Sequence, residues 1–294
     1  MPTSILSAIV RTARPRQWVK NLFVGAPLVF ARHLGDGVAL TRAAAAVAAF
    51  CALSSAVYFW NDVIDVEKDR AHPQKRNRPI AAGLLSIPLA RAIAGVLALA
   101  GLLGALLLSR PFAACALVYL AQNVAYSLWL KRIVYVDVLT IAAGFLLRTL
   151  GGALAISVEA SPYLLVCTGL VATFLGLGKR LHELRQAGAD AAAQRPTLAA
   201  YRADVLTGAL WATGVATLAA YVAYTRAPHT LAFFGTGRMI FTAPFVAFGL
   251  LRFAGILRDD RRGDSPTDAM LHDVPFMLNL LLFAGCAVGV IYWR

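Results

Sequence analysis

The chain has 294 residues, of which 59% are hydrophobic and 15% are charged. A soluble globular protein has about 45–50% apolar and about 25% charged residues, so this composition excludes an ordinary soluble enzyme. The formal net charge of +13 would indicate nucleic-acid binding in a soluble protein, but the long apolar runs indicate a membrane protein instead. We therefore expect a membrane setting and no nucleic-acid partner.

Apolar runs of about 20 residues recur along the chain and match the roughly 30 Å hydrocarbon core of a bilayer. They predict an all-α fold, a polytopic membrane bundle of nine transmembrane helices. Because no low-complexity linker divides the chain, we expect a single integral membrane domain over 1–294. The predicted spans are 18–36, 38–60, 87–108, 111–130, 133–156, 162–180, 205–225, 239–257 and 274–293.

The distribution of basic residues predicts the orientation in the cell membrane. With nine spans and a cytoplasmic N-terminus, 21 of the 28 Lys and Arg residues fall on the cytoplasmic side and six on the outer side. The positive-inside rule favours this arrangement, which places the C-terminus outside. Removing the first span, which Lys20 and Pro27 interrupt, weakens the bias. Function is expected at the cytoplasmic face, where the long polar segments lie: 61–86, 181–204 and 258–273.

Three carboxylates stand at the end of the second predicted helix. Asp62, Asp65 and Asp69 have the spacing i, i+3, i+7, which places them on one face of a helix, with Asn61 one turn before Asp65. Like charges stacked in this way need a counterion, and hard oxygen ligands suit Mg²⁺ bound together with substrate phosphates. The pattern predicts a Mg²⁺ site. The alternative is a solvated helix end whose acids are balanced by neighbouring bases.

A cationic segment follows those carboxylates directly. It contains Arg70, His72, Lys75, Arg76 and Arg78. Acidic residues followed by basic ones suit a metal-bound pyrophosphate, whose outer oxygens Lys75 and Arg78 would stabilise. The alternative is an ordinary positively charged cytoplasmic loop.

Two charged residues lie inside the fifth predicted span. Asp137 is only a few residues into the apolar run, and a buried acid in a membrane is costly enough to be a functional candidate. Arg148 follows three turns later on nearly the same face. It either lines the bottom of a cavity or binds polar neighbours such as Asn123 or Asn279.

Polar residues also stand at the predicted cytoplasmic ends of other helices. Lys20 and Asn21 follow Trp18 at the start of the first span, and they either contact a phosphate or belong to a membrane anchor. Tyr126 and Lys131 lie near the turn between the fourth and fifth spans. Tyr126 is equally well explained as an interfacial anchor.

These residues resemble the UbiA superfamily of intramembrane prenyltransferases. The NDxxDxxxD motif that begins at Asn61, at the end of the second of nine helices, carries this resemblance. Four more segments resemble the decaprenyl-phosphate phosphoribosyltransferase branch: RPRQWVKN from Arg14, HPxK from His72, YSLWLK from Tyr126 and GKRxxE from Gly178. The resemblance extends to about residue 275.

The resemblance implies transfer of a 5-phosphoribosyl group from phosphoribosyl pyrophosphate to a polyprenyl phosphate at the cytoplasmic membrane face. The reaction would use Mg²⁺, release pyrophosphate and serve the synthesis of an arabinose donor for the cell envelope; a homo-oligomer is compatible with it. With the patterns above, it implies catalytic roles for Asp62, Asp65, Lys131 and Asp137 and metal binding by Asp62, Asp65 and Asp69. The expected substrate-binding residues are Lys20, Asn21, Asn61, Lys75, Arg78, Tyr126, Arg148, Lys179, Arg180 and Glu183.

One departure distinguishes the chain from typical prenyltransferases of this superfamily. They carry a second aspartate motif, DxxxD, after the sixth helix, whereas this chain has Lys179, Arg180 and Glu183 in that segment. A cationic site favours bare phosphate oxygens over a second metal. The alternative for both cations is membrane-edge anchoring with snorkelling side chains.

Two other functions stay open at this point. One is a prenyltransferase that joins a prenyl diphosphate to an aromatic acceptor. The other is a non-enzymatic membrane transporter, although such proteins usually show paired repeats and a midplane site, which this sequence does not indicate.

Overall fold

A computed structural model describes residues 4–187, 196–258 and 266–293. Within these ranges the chain is almost entirely helical and contains no strand. Its α-helices are α1 (Ile5–Ala13), α2 (Ala26–Phe30), α3 (Gly37–Ile64), α4 (Val66–Ala71), α5 (Ile87–Leu108), α6 (Arg110–Leu128), α7 (Val136–Ala155), α8 (Pro162–Ala187), α9 (Pro196–Ala199), α10 (Ala203–Arg226), α11 (Pro228–Phe234), α12 (Ala243–Ile256), α13 (Pro266–His272) and α14 (Val274–Tyr292). Short 3₁₀ helices cover Pro15–Val24, Lys75–Asn77, Leu130–Arg132 and Arg238–Thr242.

The prediction of an all-α chain with membrane-length helices is confirmed. Eight segments in the described ranges are long and apolar enough to cross a membrane: α3, α5, α6, α7, α8, α10, Arg238–Ile256 and α14. They correspond to the eight predicted spans from residue 38 onward. The largest difference is at α8, which continues to Ala187 and so includes the start of the predicted polar segment 181–204. Residues 188–195 and 259–265, which belong to two predicted polar segments, lie outside the described residues.

The count of nine membrane helices is not confirmed, because the first predicted span, 18–36, is not a continuous α-helix. The 3₁₀ helix Pro15–Val24 is followed at Gly25 by the five-residue α2. Pro27 explains the break: it has no N–H to donate, and its ring would clash with the carbonyl of Phe23 in a continuous α-helix. Pro27 instead lies in the first turn of α2, where a proline is tolerated.

The described chain divides into two compact units. The first comprises Met1–Leu130 and Gly144–Ala160, and the second comprises Lys131–Ala143 and Ser161–Arg294. Helix α7 contributes residues to both. That the whole chain folds as one membrane domain stays a prediction.

In the first unit, the segment Pro15–Phe30 packs along α3. A 3₁₀ helix has three residues per turn, so Trp18, Asn21 and Val24 share one face. Near one end Trp18 donates a hydrogen bond to Ser55 of α3 at 3.0 Å, and near the other Leu28 packs against the first two turns of α3. The segment therefore runs antiparallel to α3 over most of its length.

The second unit is built around α8. Buried apolar side chains of α8, α10 and α12 form its core, including Phe174, Leu206, Leu210 and Phe253. The rings of Phe174 and Phe253 lie 5.3 Å apart between their centroids. Packing against α10 and α12 therefore fixes the position of the C-terminal turns of α8, which carry charged residues.

Gly152 allows the 3₁₀ segment to approach α7 closely. A Cβ atom at this position would lie 1.9 Å from the carbonyl oxygen of Val24, which is backbone and cannot rotate away. We expect Gly152→Ala to displace the segment and destabilise the fold by about 1–3 kcal/mol, as overpacking does. The apparent melting temperature of the purified protein in detergent measures this change.

The matched control is Gly104→Ala in α5. A Cβ there meets nothing within 4 Å, so this variant should melt close to the wild-type temperature. Equal melting temperatures for the two variants would contradict the close packing of the 3₁₀ segment on α7.

Candidate active site

Two buried carboxylates share one guanidinium group in the first unit. Asp62 is in the last turn of α3 and is 2% exposed, while Asp69 of α4 is 4% exposed. Nη1 of Arg78 lies 3.1 Å from Oδ1 of Asp62 and 2.7 Å from Oδ2 of Asp69. Nη2 of Arg14 lies 2.6 Å from the same Asp62 oxygen. We call these four residues the aspartate cluster.

The break between α3 and α4 determines which acids meet. Asp65 occupies the break with φ −90° and ψ 9° and is partly exposed. Asn61, one turn earlier, accepts a hydrogen bond from the hydroxyl of Ser127 on α6. The structure thus brings Asp62 and Asp69 together. The alternative of a solvated helix end does not describe these two acids, because both are buried.

No metal-ligand set of three is assembled in the part of the chain that the structure describes. Among those residues, no group of three His, Cys, Asp or Glu side chains is arranged to hold a metal. Of the three predicted ligands, Asp62 and Asp69 therefore converge on Arg78, while Asp65 lies at the adjacent helix break. The positive charge between the two carboxylates is supplied by Arg78.

A cavity of about 280 Å³ lies beside the aspartate cluster. Three arginines and one aspartate are among the residues that line it, so the lining carries a net positive charge. Nη2 of Arg11 also donates a hydrogen bond to the carbonyl of Asn77 at 3.1 Å, which ties α1 to the cationic segment. The charge suits a phosphorylated ligand. The lining residues are Arg11, Arg14, Asp62, Gln74, Asn77, Arg78 and Pro79.

Sequence reasoning did not find Arg11 and Arg14 as parts of this cavity. In the sequence, Arg14 stands out only as the first residue of the RPRQWVKN segment, whereas in the structure it pairs with Asp62, 48 residues away. Arg14 ends α1 in the left-handed region, with φ 54° and ψ 61°, directly before Pro15. Non-glycine residues seldom adopt this conformation, and it is a common feature of functional sites. No local sequence pattern signals it.

The predicted cationic segment contributes unequally to the site. Arg78 binds both buried carboxylates, while Lys75 is exposed on the 3₁₀ helix Lys75–Asn77. Nδ1 of His72 accepts hydrogen bonds from the backbone N–H groups of Gln74 and Lys75. Burial, and then the charge of Lys75, lowers the pKa of His72. The ring is therefore mainly neutral at pH 7 and adds little positive charge.

A second set of buried charges lies in the second unit. Asp137 is 0% exposed and Arg180 is 1% exposed, and Nε of Arg180 lies 2.8 Å from Oδ2 of Asp137. Arg180 also pairs with Glu183, and the Tyr201 hydroxyl donates a hydrogen bond to Asp137. Burial raises the pKa of Tyr201, and the bond to Asp137 raises it further, so the hydroxyl remains a donor. We call these four residues the Arg180 cluster.

Lys179 and Arg180 therefore have different surroundings. The guanidinium of Arg180 is held by two carboxylates inside the unit, so direct binding of a substrate would require it to leave one of them. Lys179 is partly exposed, with Nζ 3.8 Å from Glu183. Lys131, also in this unit, is partly exposed, and its carbonyl accepts a hydrogen bond from Thr197 at 3.4 Å.

Arg148 is buried in the first unit, where it is 7% exposed. Its guanidinium donates to the side-chain oxygen of Asn21 at 2.8 Å, to the Tyr119 hydroxyl at 2.7 Å and to the Gly144 carbonyl at 2.9 Å. Asn21 is fully buried and also donates to Ser54. This arrangement agrees with the alternative in which Arg148 binds polar neighbours, but its partners differ from the expected Asn123 and Asn279.

Two more predicted residues lie in the first unit. Lys20 is partly buried in the 3₁₀ helix, and Tyr126 is partly buried in the last turn of α6. Their proposed contacts with substrate stay predictions.

The chain is similar to one family over most of its length. The sequence profile of the UbiA prenyltransferase family matches residues 22–291. A decaprenyl-phosphate phosphoribosyltransferase of Mycobacterium tuberculosis (strain ATCC 25618 / H37Rv) is 35% identical over 97% of this chain and 94% of the relative. The protein of the same name from Corynebacterium glutamicum is 31% identical over 99% of this chain and 89% of the relative.

Solved structures share the fold at low sequence identity. A UbiA homolog from Archaeoglobus fulgidus, bound to DMAPP and Mg²⁺, has a TM-score of 0.73 and 16% identity, and covers 98% of this chain and 100% of that protein. The apo structure of a UbiA homolog from Aeropyrum pernix K1 has a TM-score of 0.65 and 20% identity, with 98% of each chain covered.

The Arg180 cluster generates a stability prediction. Asp137→Asn removes the buried carboxylate opposite Arg180, and breaking a buried ion pair costs about 3–5 kcal/mol because the other charge loses its compensation. We expect a clear decrease in the apparent melting temperature in detergent. Asp204→Asn is the control, because the Asp204–Arg202 pair is exposed and should contribute little. If Asp137→Asn and Asp204→Asn had equal melting temperatures, Asp137 would not be stabilising Arg180.

Proposed function

The chain belongs to the UbiA prenyltransferase family, and we propose that it transfers a 5-phosphoribosyl group from phosphoribosyl pyrophosphate to a polyprenyl phosphate. It is a multi-pass membrane transferase, as its helices and its family indicate. The donor is proposed because the full-length relatives described above carry the name phosphoribosyltransferase. The structural observation that carries the proposal is a cavity with three arginines beside two convergent carboxylates. The use of the product in the cell envelope stays a prediction.

The two carboxylates of the aspartate cluster are suited to bind a divalent cation. Two carboxylate oxygens from Asp62 and Asp69 converge on a single positively charged atom, Nη1 of Arg78. Carboxylate oxygens are the ligands that Mg²⁺ prefers, and Mg²⁺ commonly uses one or two of them together with substrate phosphates. We propose that Asp62 and Asp69 hold Mg²⁺, with Asp65 at the adjacent break as a third ligand. A bound Mg²⁺ would neutralise charge on the leaving pyrophosphate.

The arginines that face the cavity bind and orient the donor in this proposal. Arg11, Arg14 and Arg78 present planar guanidinium groups, which form paired hydrogen bonds with phosphate oxygens. Lys75 is proposed to add positive charge where the departing pyrophosphate becomes more negative. A catalytic role for Lys131, which belongs to the second unit, stays a prediction. Departure of pyrophosphate leaves positive charge on the ribose carbon that formed the broken bond.

The acceptor needs positioning and not a general base. Its phosphate is already an anion at neutral pH, so an oxygen can attack the ribose carbon without losing a proton. We propose that Lys179 binds this phosphate, because it is the more exposed of the two cations in its segment. Arg180 is then a positioning residue that, through Glu183, sets the location of Lys179.

We also propose that the N-terminus is cytoplasmic, the C-terminus external and the segment Pro15–Phe30 a membrane crossing. A 3₁₀ helix rises about 2.0 Å per residue and an α-helix 1.5 Å, so this segment spans about 28 Å, close to the thickness of a hydrocarbon core. The contacts of Arg42 support the proposal that the start of α3 and the ends of α5 and α7 lie on the same side of the membrane. Arg42 donates to the last-turn carbonyls of α5 and α7, Leu108 at 2.9 Å and Ala155 at 2.7 Å.

The activity is tested with purified protein, Mg²⁺, radiolabelled phosphoribosyl pyrophosphate and polyprenyl phosphate. We expect radiolabel in the lipid phase. Asp62→Asn should lower turnover about 100-fold or more, because a lost metal ligand removes several kcal/mol of transition-state stabilisation. The control is Glu67→Gln in the same segment, since Glu67 is exposed and its ion pair is with Arg70, away from the buried carboxylates.

Two results would contradict the proposed activity. If the radiolabel stays in the aqueous phase but a prenyl diphosphate and an aromatic acid give product, the protein is a prenyltransferase of the ordinary kind. If neither substrate pair reacts, a transporter becomes the better explanation.

Orientation is tested by labelling single introduced cysteines in intact cells with a membrane-impermeant maleimide. We expect Gly35→Cys and Trp293→Cys to be labelled in intact cells and Ser4→Cys to be labelled only after lysis. All three positions are exposed, and Ser4 should lie on the cytoplasmic side. The wild type, whose four cysteines lie in apolar helices, gives the background. Labelling of both Ser4→Cys and Gly35→Cys in intact cells would mean that Pro15–Phe30 does not cross, and labelling of Ser4→Cys without Gly35→Cys would mean that the orientation is reversed.

A further inference from the structure

The arginines of the aspartate cluster pair with the same carboxylates that are proposed to hold Mg²⁺. We propose that Arg14 and Arg78 serve as internal counterions for Asp62 and Asp69 until Mg²⁺ binds, and that the metal then releases both arginines to bind the pyrophosphate of the donor. This inference rests on the proposed function, because it assumes that these carboxylates hold Mg²⁺. It makes metal binding and donor binding mutually dependent.

The charges of the cluster give the first reason. Two carboxylates and two guanidinium groups give a formal charge of zero, so the buried acids are compensated without a metal. Adding Mg²⁺ alone would leave two excess positive charges in a partly buried site, which is unfavourable. Adding Mg²⁺ together with an anionic pyrophosphate removes that excess. The cluster should therefore bind the two together much better than either alone.

The distances give the second reason. Nη1 of Arg78 is within 3.1 Å of one carboxylate and 2.7 Å of the other. Mg²⁺ binds carboxylate oxygens at about 2.0–2.1 Å, so a metal on these two oxygens would compete with Arg78 for both of them. In the proposal, Arg78 therefore leaves the carboxylates when the metal binds.

The exposed fractions of the arginine side chains give the third reason. Asp62 and Asp69 are buried, but the side chains of Arg14 and Arg78 are each 30% exposed and both face the cavity. A guanidinium that leaves the carboxylates therefore remains beside a ligand in the cavity. Arg11 already faces the same space from α1. Release of two arginines would raise the number of cavity cations available to phosphate oxygens from one to three.

The proposal predicts opposite effects of one substitution on two ligands. Arg78→Gln removes the competitor, so the metal alone should bind about 10-fold more tightly. The same change removes a phosphate contact, so pyrophosphate at saturating Mg²⁺ should bind about 10-fold more weakly, which is the low end of the effect of one charge-assisted hydrogen bond. A purely structural role for Arg78 would weaken the binding of both ligands.

The test uses the full chain in detergent and two binding measurements. Mn²⁺, which shares the preference of Mg²⁺ for oxygen ligands, is titrated without phosphate, and free Mn²⁺ is read from its electron paramagnetic resonance signal. Radiolabelled inorganic pyrophosphate retained by the protein at saturating Mg²⁺ gives the second affinity. Arg70→Gln is the matched control, because Arg70 follows the same carboxylates in sequence but pairs with Glu67 and does not line the cavity.

We expect Arg78→Gln to bind Mn²⁺ more tightly and pyrophosphate more weakly than the wild type. Arg70→Gln should bind both ligands with affinities near those of the wild type. If Arg78→Gln does not fold, Arg14→Gln should show the same two changes through Asp62 alone. Unchanged or jointly weakened binding in the folded variant overturns the exchange of counterions while leaving the proposed function intact. If wild type binds neither Mn²⁺ nor pyrophosphate with Mg²⁺, the proposed function itself fails, and the inference fails with it.

Discussion

A charge placed among membrane-length helices must be compensated inside the protein, and this constraint organises the polar interior of the chain. Asp62 and Asp69 are compensated by Arg14 and Arg78, and Asp137 is compensated by Arg180. Within the part of the chain that the structure describes, Arg148 pairs with no carboxylate and instead donates to three oxygens. Uncompensated charges of this kind would cost several kcal/mol each, so these contacts are conditions for folding as well as features of a site.

The same constraint explains how the N-terminal segment contributes to the first unit. Arg14 reaches Asp62 at one end of this segment, and Asn21 reaches Arg148 in its middle. The three-residue turn of the 3₁₀ helix aligns Asn21 with Trp18 and Val24 on the face that packs against the unit. A structural element that supplies packing and charge compensation thereby also brings cations to the cavity, so folding and the proposed donor binding would depend on the same residues.

The second unit shows how a basic segment can be partly structural. In typical prenyltransferases of the superfamily, an acidic motif is expected where this chain has Lys179 and Arg180. The structure uses Arg180 to neutralise Asp137 and Glu183, which leaves Lys179 as the exposed cation. Replacement of an acidic motif by a basic one therefore does not make every new cation a ligand of the substrate. Burial decides which of two neighbouring cations remains accessible.

The sequence by itself determined the features that depend on neighbouring residues. The length of the apolar runs predicted the eight membrane-length segments that begin with α3 and end with α14. The aspartate motif predicted where the acids lie, and the i, i+3 spacing placed Glu183 within reach of Arg180. Tertiary structure alone decided the long-range partners: Arg14 for Asp62, 48 residues away, and Asn21 for Arg148, 127 residues away. It also decided that Pro15–Val24 is a 3₁₀ helix. The physical reason is that a charge pairs with whichever helix packs beside it, and helical periodicity shows which face is buried but not which helix covers it.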